Sequence, residues 1–204
     1  MPNLHFEHWP KISKSLKLPE TSLYENLKVS AARYPDQSAI YYYGHTISYK
    51  ELDEEVNALA GFLQQKLGVA KGERVLLFMQ NSPQFVIGFY AISRADAVVV
   101  PINPMLTAEE LSFYIKDCGI NSALVGQELY DKVEPLIGTT PLNNVVVAAY
   151  SDYKGDGFNG TVPPEAEAAR KIYGQPGHFH WKEAIAAHYE PGKHTTGADD
   201  LVVL

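Results

Sequence analysis

The chain has 204 residues, of which 46% are hydrophobic and 20% charged, with a formal net charge of −7. This composition indicates a folded globular protein and excludes a disordered one, because a chain of this length can bury ~70% of its unfolded surface. The acidic balance, without a basic face, argues against nucleic acid as a partner, and the longest apolar run, Ala97 to Ile102, is too short to cross a bilayer.

Helices are predicted from start signals and from the spacing of apolar residues. Three begin with a capping box, in which a hydroxyl side chain and a glutamate three positions later satisfy free N–H groups. Ser82-Pro83 starts another helix, with proline in its favoured first turn, and a last one is expected around Trp181. The capping pairs are Ser22 with Glu25, Ser48 with Glu51, and Thr107 with Glu110. The expected apolar faces are Leu23, Leu27 and Ala31; Leu52, Val56, Leu59, Ala60, Leu63 and Leu67; Phe85, Val86, Phe89 and Tyr90; and Leu111, Ile115 and Cys118.

Short, almost continuous apolar runs lie between these helices and are typical of parallel strands buried on both faces. Their alternation with helices predicts an α/β fold with a doubly wound, mostly parallel sheet and right-handed crossovers. Residues 41–47 predict a small β-hairpin near the N-terminus, at an edge or in a side sheet. The apolar runs are Val75 to Met79, Ala97 to Val100, Ser122 to Val125, and Val145 to Ala149.

Changes in composition divide the chain into four parts. Residues 1–21 are expected to be an N-terminal extension and 22–150 an α/β subdomain. Residues 151–177, rich in Gly, Pro, Asp and Asn, predict a long surface loop or insertion. Residues 178–204 predict a helix followed by the start of a buried strand.

Motifs for complete active sites are absent from this sequence. Gly155 to Gly160 fits the letters of a dinucleotide fingerprint, but prolines follow where a helix must begin, so we interpret it as a chance match. His178, His180, His188 and His194 lack carboxylate or thiol partners at ligand spacing and are expected to be surface histidines. We therefore predict no catalytic residue and no metal ligand in this chain.

Five segments in order resemble the adenylate-forming superfamily of acyl-CoA synthetases, peptide-synthetase adenylation domains and firefly-type luciferases. Residues 47–52 (ISYKEL) resemble its first core motif, and residues 91–104 resemble its second, except that Asp96 stands where glycine is usual. Residues 75–85 and 103–125 are similar to the stretches that flank the second motif, and residues 198–204 to the strand that leads into the third. The corner at Asn103-Pro104 favours fatty-acyl members, so the chain resembles the first subdomain of a long- or medium-chain fatty-acid-CoA ligase.

This resemblance implies a two-step reaction with ATP, Mg²⁺ and coenzyme A. A carboxylic acid, expected to be a fatty acid, is first adenylated and then transferred to the thiol of coenzyme A. In the family, the phosphate-binding loop with its lysine, the later acidic motifs and a catalytic lysine on a mobile C-terminal domain all lie beyond the region that corresponds to Leu204. We therefore expect this 204-residue chain to be inactive alone and to bind none of these molecules tightly.

The only site residues predicted here are at the carboxyl ends of strands, where open α/β sheets bind ligands. Asn81 and Ser82 follow one strand and Asn103 and Pro104 follow the next, so we expect them to line the cleft of the parent enzyme. The competing interpretation is that they only cap helices and turn corners.

Other functions remain open from sequence. The chain could instead be a standalone nucleotide-binding or interaction module with this fold, or part of an adenylation domain that loads a carrier protein. We expect a cytoplasmic location, with peripheral membrane association left open. An uncovered sheet edge also predicts self-association or a homodimer.

Overall fold

The structure is a computed structural model in which residues 19–204 are described, so residues 1–18 of the predicted extension lie outside the described residues. Seven strands and seven α-helices follow one another in this part of the chain. In chain order they are α1 (Leu23–Arg33), β1 (Ser38–Tyr42), β2 (His45–Ser48), α2 (Tyr49–Gln65), β3 (Arg74–Phe78), α3 (Pro83–Arg94), β4 (Val98–Pro101), α4 (Ala108–Cys118), β5 (Ser122–Gly126), α5 (Tyr130–Val133), β6 (Asn144–Ala148), α6 (Pro164–Glu167), β7 (His178–His180) and α7 (Trp181–Ala186).

The main sheet has five parallel strands in the order β4-β3-β5-β6-β7. Helices α2, α3 and α7 pack on one face of this sheet, with α1 packed against α2 and α3, and α4 and α5 pack on the other face. Covering both faces explains why the strands are almost continuously apolar, since neither set of side chains meets water. The predicted doubly wound α/β fold is confirmed.

All three predicted capping boxes form. In each, the hydroxyl oxygen accepts from the backbone N–H three residues on, while the glutamate accepts from the backbone N–H of the capping residue. The Ser82 hydroxyl caps α3 by accepting from the Phe85 N–H, without a reciprocal glutamate, and Pro83 lies in the first turn. Such caps are each worth about 1 kcal/mol, so the helix starts are encoded locally.

The predicted faces of two helices are partly wrong. On α1 the buried residues are Tyr24 and Leu27, whereas Leu23 is 41% exposed. On α3 the four predicted residues are only half-buried, and Ile87 and Ile92 are fully buried instead. The sheet selects this other face because Gly88 lets α3 approach closely: a β-carbon there would lie 3.0 Å from Cδ1 of Leu124.

The predicted hairpin is confirmed as a separate antiparallel sheet of β1 and β2. Its two turn residues, Tyr43 and Gly44, both have positive φ, at 39° and 81°. This is the turn geometry that matches the twist of a two-residue hairpin, and glycine supplies the second position without strain.

Strand β7 was not predicted, because the sequence His178-Phe179-His180 is too polar and too short to be recognised as a strand. It pairs in parallel with β6 and is followed directly by α7. Between β6 and β7, the chain buries Tyr153 and Ala166 in the main core. The division of the chain at residues 150 and 177 stays a prediction.

The last residues begin to pair beside β4. Val203 bridges Val99 in parallel, and the N–H of Leu204 donates to the Val99 carbonyl at 3.0 Å. The expectation that this segment is buried is wrong: Leu201 and Leu204 are 55% and 56% exposed. Backbone hydrogen bonds to Val99 hold residues 202–204 beside β4. Every helix within residues 19–204 is too short or too polar to span a membrane.

Candidate functional site

A cavity of about 290 Å³ opens at the carboxyl ends of β3 and β4. This is where ligands bind in open α/β sheets, because loops there diverge and leave a crevice. Its lining residues come from the loop before α3, from α3 itself, and from the corner after β4: Met79, Gln80, Asn81, Phe85, Pro101, Ile102, Asn103 and Pro104.

Three of the four residues predicted from sequence line this cavity together, and one does not. Asn81, Asn103 and Pro104 belong to the lining. Ser82 is only 7% exposed, and its hydroxyl accepts from the Phe85 N–H at 3.2 Å. For Ser82, therefore, the structure favours the capping interpretation over the cleft.

The corner after β4 is held by polar contacts. Asn103 Oδ1 accepts from the Met105 N–H at 3.0 Å, which closes a tight turn. The Lys132 ammonium donates to the backbone carbonyls of Pro104 and Leu106, at 2.8 Å each. This wall of the cavity is thus tied to α5, so its shape is set before any ligand arrives.

Residues that follow three neighbouring strands form a partly buried hydrogen-bond network beside the cavity. The Gln80 N–H donates to Tyr150 Oη at 2.7 Å, and Tyr150 Oη donates to Glu128 Oε1 at 2.7 Å. Burial raises the pKa of Glu128, and the hydrogen bond from Tyr150 offsets part of this increase. Burial and the adjacent Glu128 carboxylate raise the pKa of Tyr150. The phenol therefore stays protonated and donates.

Sequence reasoning missed Glu128 and Tyr150. The available signal was their position, since each comes within two residues of the end of a strand. Gly126 makes room for the network, because a β-carbon there would lie 2.3 Å from Tyr150 Oη and 2.7 Å from Glu128 Oε2. Gln84 lies fully buried nearby, donates to the Ala149 carbonyl at 2.8 Å, and leaves Oε1 without a partner among the described residues.

A larger cavity of about 400 Å³ lies away from the strand ends, between α2 and the segment 185–191. Its lining includes four carboxylates, Asp53, Glu54, Glu55 and Glu190. Burial raises the pKa of Glu55, and the Tyr153 hydroxyl that donates to it acts in the opposite direction. An anionic ligand such as a nucleotide would be repelled here, so the cavity at the strand ends is the better candidate.

Two of the four histidines predicted to lie on the surface do not. His180 is 8% exposed, and the His194 side chain is 11% exposed. His194 lies between Ser22 and Asp96, with Nε2 hydrogen-bonded to Ser22 Oγ at 2.8 Å and Nδ1 2.7 Å from Asp96 Oδ1. Within residues 19–204, no three His, Cys, Asp or Glu side chains gather as metal ligands.

The residue types Ser22, His194 and Asp96 are those of a hydrolase triad, but their arrangement is structural. Ser22 is 2% exposed, and its hydroxyl also accepts from the Glu25 N–H as the cap of α1. His194 Nδ1 is not directed at the Asp96 carboxylate as a hydrogen-bond donor must be. A substrate could not reach this serine, so we assign no nucleophile here.

Comparison with known proteins finds similar sequences and similar folds among acyl-CoA ligases and adenylating enzymes. A long-chain-fatty-acid–CoA ligase of Escherichia coli is 33% identical over 131 residues, which cover 64% of this chain and 23% of the ligase. Surfactin synthase subunit 3 of Bacillus subtilis is 38% identical over 108 residues, or 52% of this chain and 8% of the synthase. The crystal structure of an anthranilate CoA ligase in complex with anthranoyl-AMP shares the fold with a TM-score of 0.73 at 21% identity, covering 91% of this chain and 32% of that one.

This chain thus spans about a quarter of the length of the fatty-acid–CoA ligase that it matches. Residues 27–204 match the family described as AMP-binding enzyme. That match includes the whole main sheet and every residue that lines the cavity at the strand ends. The chain belongs to the AMP-binding enzyme family.

Proposed function

We propose that this chain is the N-terminal part of an ATP-dependent acyl-CoA synthetase that acts on a fatty acid. The observation that carries the proposal is the family match over residues 27–204, together with 33% identity to a long-chain-fatty-acid–CoA ligase. The cavity at the ends of β3 and β4 supports it, because it lies where this type of sheet binds ligands.

The proposed reaction has two displacements. An oxygen of the fatty-acid carboxylate bonds to the α-phosphorus of ATP, the bond to the bridging oxygen breaks, and pyrophosphate leaves. The thiolate of coenzyme A then attacks the acyl carbonyl carbon, and AMP leaves with the electrons of the broken carbon–oxygen bond. Both transition states place negative charge on oxygens, which fixed N–H groups and cations stabilise.

In this proposal, the described residues form one wall of the cleft and do not supply positive charge to the phosphates. The lining of the cavity contains amide side chains and backbone, with no lysine, arginine or carboxylate. Magnesium is usually bound through one or two carboxylates together with substrate phosphates, so this lining does not fit it. We assign these residues no role in binding the metal. We expect the metal ligands and the phosphate-binding cations in other parts of the parent protein.

The role proposed for residues 1–204 is tested by ATP–pyrophosphate exchange. The full-length protein should catalyse exchange that depends on a fatty acid, whereas the 204-residue chain alone should show none. A series of acids of increasing chain length then defines the substrate. Fatty-acid-dependent acyl-CoA formation by the isolated 204-residue chain would refute the proposed inactivity, and no exchange by the full-length protein with any acid would refute the ligase assignment.

The cleft residues are tested in the same assay. Asn81 is exposed in the cavity, so Asn81→Ala should raise the KM for ATP or acid about tenfold if its amide contacts a substrate, the effect of one hydrogen bond of about 1.4 kcal/mol. For Asn103, the Asp variant keeps an oxygen that accepts from the Met105 N–H, replaces the amide NH₂ with a second carboxylate oxygen and adds a negative charge, so it should raise the KM for ATP at least as much. Asn159→Ala, in the segment between β6 and β7, is the matched control.

A second candidate is an adenylation domain that loads a carrier protein. The 38% identity to surfactin synthase subunit 3 favours it, although that match covers only 52% of this chain. The two candidates share the adenylation step and differ in the thiol acceptor. The full-length protein, given preformed adenylate, should transfer the acyl group to coenzyme A; transfer only to a phosphopantetheine-bearing carrier protein would support the second candidate instead.

A standalone binding module with this fold is the remaining alternative. The native gene distinguishes it, because a synthetase must continue past Leu204 into a Ser/Thr/Gly-rich stretch followed by lysine. For the synthetase we propose a cytoplasmic location, which fractionation of the source cells would test.

A further inference from the structure

Asp96 occupies the sharp turn between α3 and β4. Its φ of 61° lies in the left-handed region, where glycine is favoured and aspartate is one of the few other residues tolerated. The residue is only 8% exposed. A charged side chain in this position needs an explanation, because burial of an unpaired carboxylate is costly.

The carboxylate of Asp96 accepts hydrogen bonds from four donors on two consecutive residues. The Thr195 N–H and hydroxyl lie 3.0 Å and 2.9 Å from its oxygens, and the Thr196 N–H and hydroxyl lie 2.9 Å and 2.7 Å away. His194 Nδ1 lies 2.7 Å from Oδ1. We call Asp96, His194, Thr195 and Thr196 the Asp96 cluster.

The Asp96 cluster lies immediately before the segment that pairs with β4. Lys71 reinforces it, with Nζ 3.2 Å from the Thr195 carbonyl and 3.4 Å from Asp200 Oδ2. Asp200 in turn accepts from the Gly197 N–H at 2.9 Å, which closes the turn. The chain then runs beside β4, where the Val99 N–H donates to the Val202 carbonyl at 2.8 Å.

We infer that Asp96 is a positioning residue that fixes the register of the strand beginning at Val202 against β4. A parallel strand added at a sheet edge can slip along its partner unless something specifies the register. The side chains of Leu201 and Leu204 are more than half exposed, so their packing specifies the register only weakly. The Asp96 cluster ties the incoming chain to a residue two positions before β4 begins.

The functional consequence rests on the proposed function. In an acyl-CoA synthetase, this strand would lead the chain toward the phosphates of ATP, so its register would set where phosphate-binding groups lie. Loss of the cluster should therefore weaken ATP binding more than it slows turnover. A residue that only stabilised the fold would instead lower the amount of active enzyme and leave the KM for ATP unchanged.

The experiment uses the full-length protein with Asp96→Asn, with Thr195→Val/Thr196→Val, and with all three changes combined. Asn keeps the size of the side chain but has one acceptor oxygen instead of two. We expect the KM for ATP in ATP–pyrophosphate exchange to rise about tenfold in Asp96→Asn, the effect of one lost charge-assisted hydrogen bond, with kcat changed less than about twofold. The combined variant should show less than the product of the two separate effects, because the Asp96 and threonine changes act on shared hydrogen bonds.

Amide hydrogen exchange gives a second readout that does not depend on catalysis. The Leu204 N–H donates to the Val99 carbonyl, and its exchange should accelerate about tenfold in Asp96→Asn and in the threonine variant. Asp117→Asn, an exposed carboxylate on α4, is the matched control and should alter neither readout. If Asp96→Asn fails to fold, the threonine variant tests the same contacts from the other side.

The outcomes separate this inference from the proposed function. An unchanged KM for ATP and unchanged Leu204 exchange in both variants would overturn the positioning role, as would multiplicative effects in the combined variant. If the wild-type protein catalyses no exchange of pyrophosphate, the proposed function fails, while faster Leu204 exchange in the variants would still establish that Asp96 fixes the strand.

Discussion

Gly61 on α2 is where a single methyl group should disrupt the packing of the segment that follows α7. A β-carbon at this position would lie 1.9 Å from the Tyr189 carbonyl oxygen and 2.5 Å from its carbon. Ordinary contact begins at 3.4 Å, so the Tyr189 backbone must move by about 1.5 Å in Gly61→Ala. The obstacle is backbone, so no side-chain rotation relieves it.

That movement pulls on three hydrogen bonds that attach this segment to α2 and α3. Gln65 donates to the Glu190 carbonyl, the Gly192 N–H donates to Gln64 Oε1 at 2.8 Å, and Arg94 donates to the Gly192 carbonyl at 2.8 Å. At about 1 kcal/mol each, their loss costs about 3 kcal/mol. Alanine offsets about 1 kcal/mol through its higher helix propensity, which leaves a net destabilisation of about 2 kcal/mol.

Thermal unfolding followed by circular dichroism measures this effect. For a protein of this size, a loss of about 2 kcal/mol lowers the Tm by roughly 4–8 °C. Glu54→Ala, on the exposed face of the same helix, is the control and should change the stability by less than about 0.5 kcal/mol. A Tm for Gly61→Ala equal to or above that of the wild type would show that helix propensity outweighs the clash and would refute this reasoning.

Three further predictions concern the cap of α4, the Asp96 cluster and the sheet edge. Thr107→Ala should destabilise the protein by about 1 kcal/mol in urea unfolding, and Thr107→Ser should restore most of this; equal stability of all three proteins would contradict the capping role. Burial alone would raise the pKa of Asp96, but hydrogen bonds from Thr195 and Thr196 outweigh it and hold the pKa below its ordinary value of 3.8. The stabilisation by this carboxylate is therefore complete above pH 3.8 and lost as the pH falls through the lowered pKa, so the Tm difference between wild type and Asp96→Asn should shrink only in that acidic range. Because Leu201 and Leu204 are exposed beside β4, the 204-residue chain should self-associate in sedimentation velocity, and a monomer at high concentration would contradict this.

The candidate site was only partly accessible from the sequence. Asn81 and Asn103 follow recognisable strands, so the rule that parallel strands end at the same edge was enough to place them together. The sequence did not distinguish Ser82 from them, because a helix cap and a cleft residue can both come shortly after the end of a strand. Glu128 and Tyr150 were missed because their contact depends on the spatial order of β3, β5 and β6, which chain order does not reveal.

By itself, the sequence determined the starts of α1 to α4, four of the parallel strands and the hairpin, whereas α5 and α6 were not predicted. Each depends on neighbours in the chain: a hydroxyl and a glutamate three positions apart, an apolar run, or a turn that requires glycine.

Only the tertiary structure decided which face of α3 is buried, that His178 to His180 forms a strand, and that His194 is enclosed. These outcomes depend on groups far apart in sequence, such as the β6 backbone for β7, or Ser22 and Asp96 for His194. Burial of a polar residue is favourable only when residues distant in sequence supply its hydrogen-bond partners. No local sequence pattern specifies those partners.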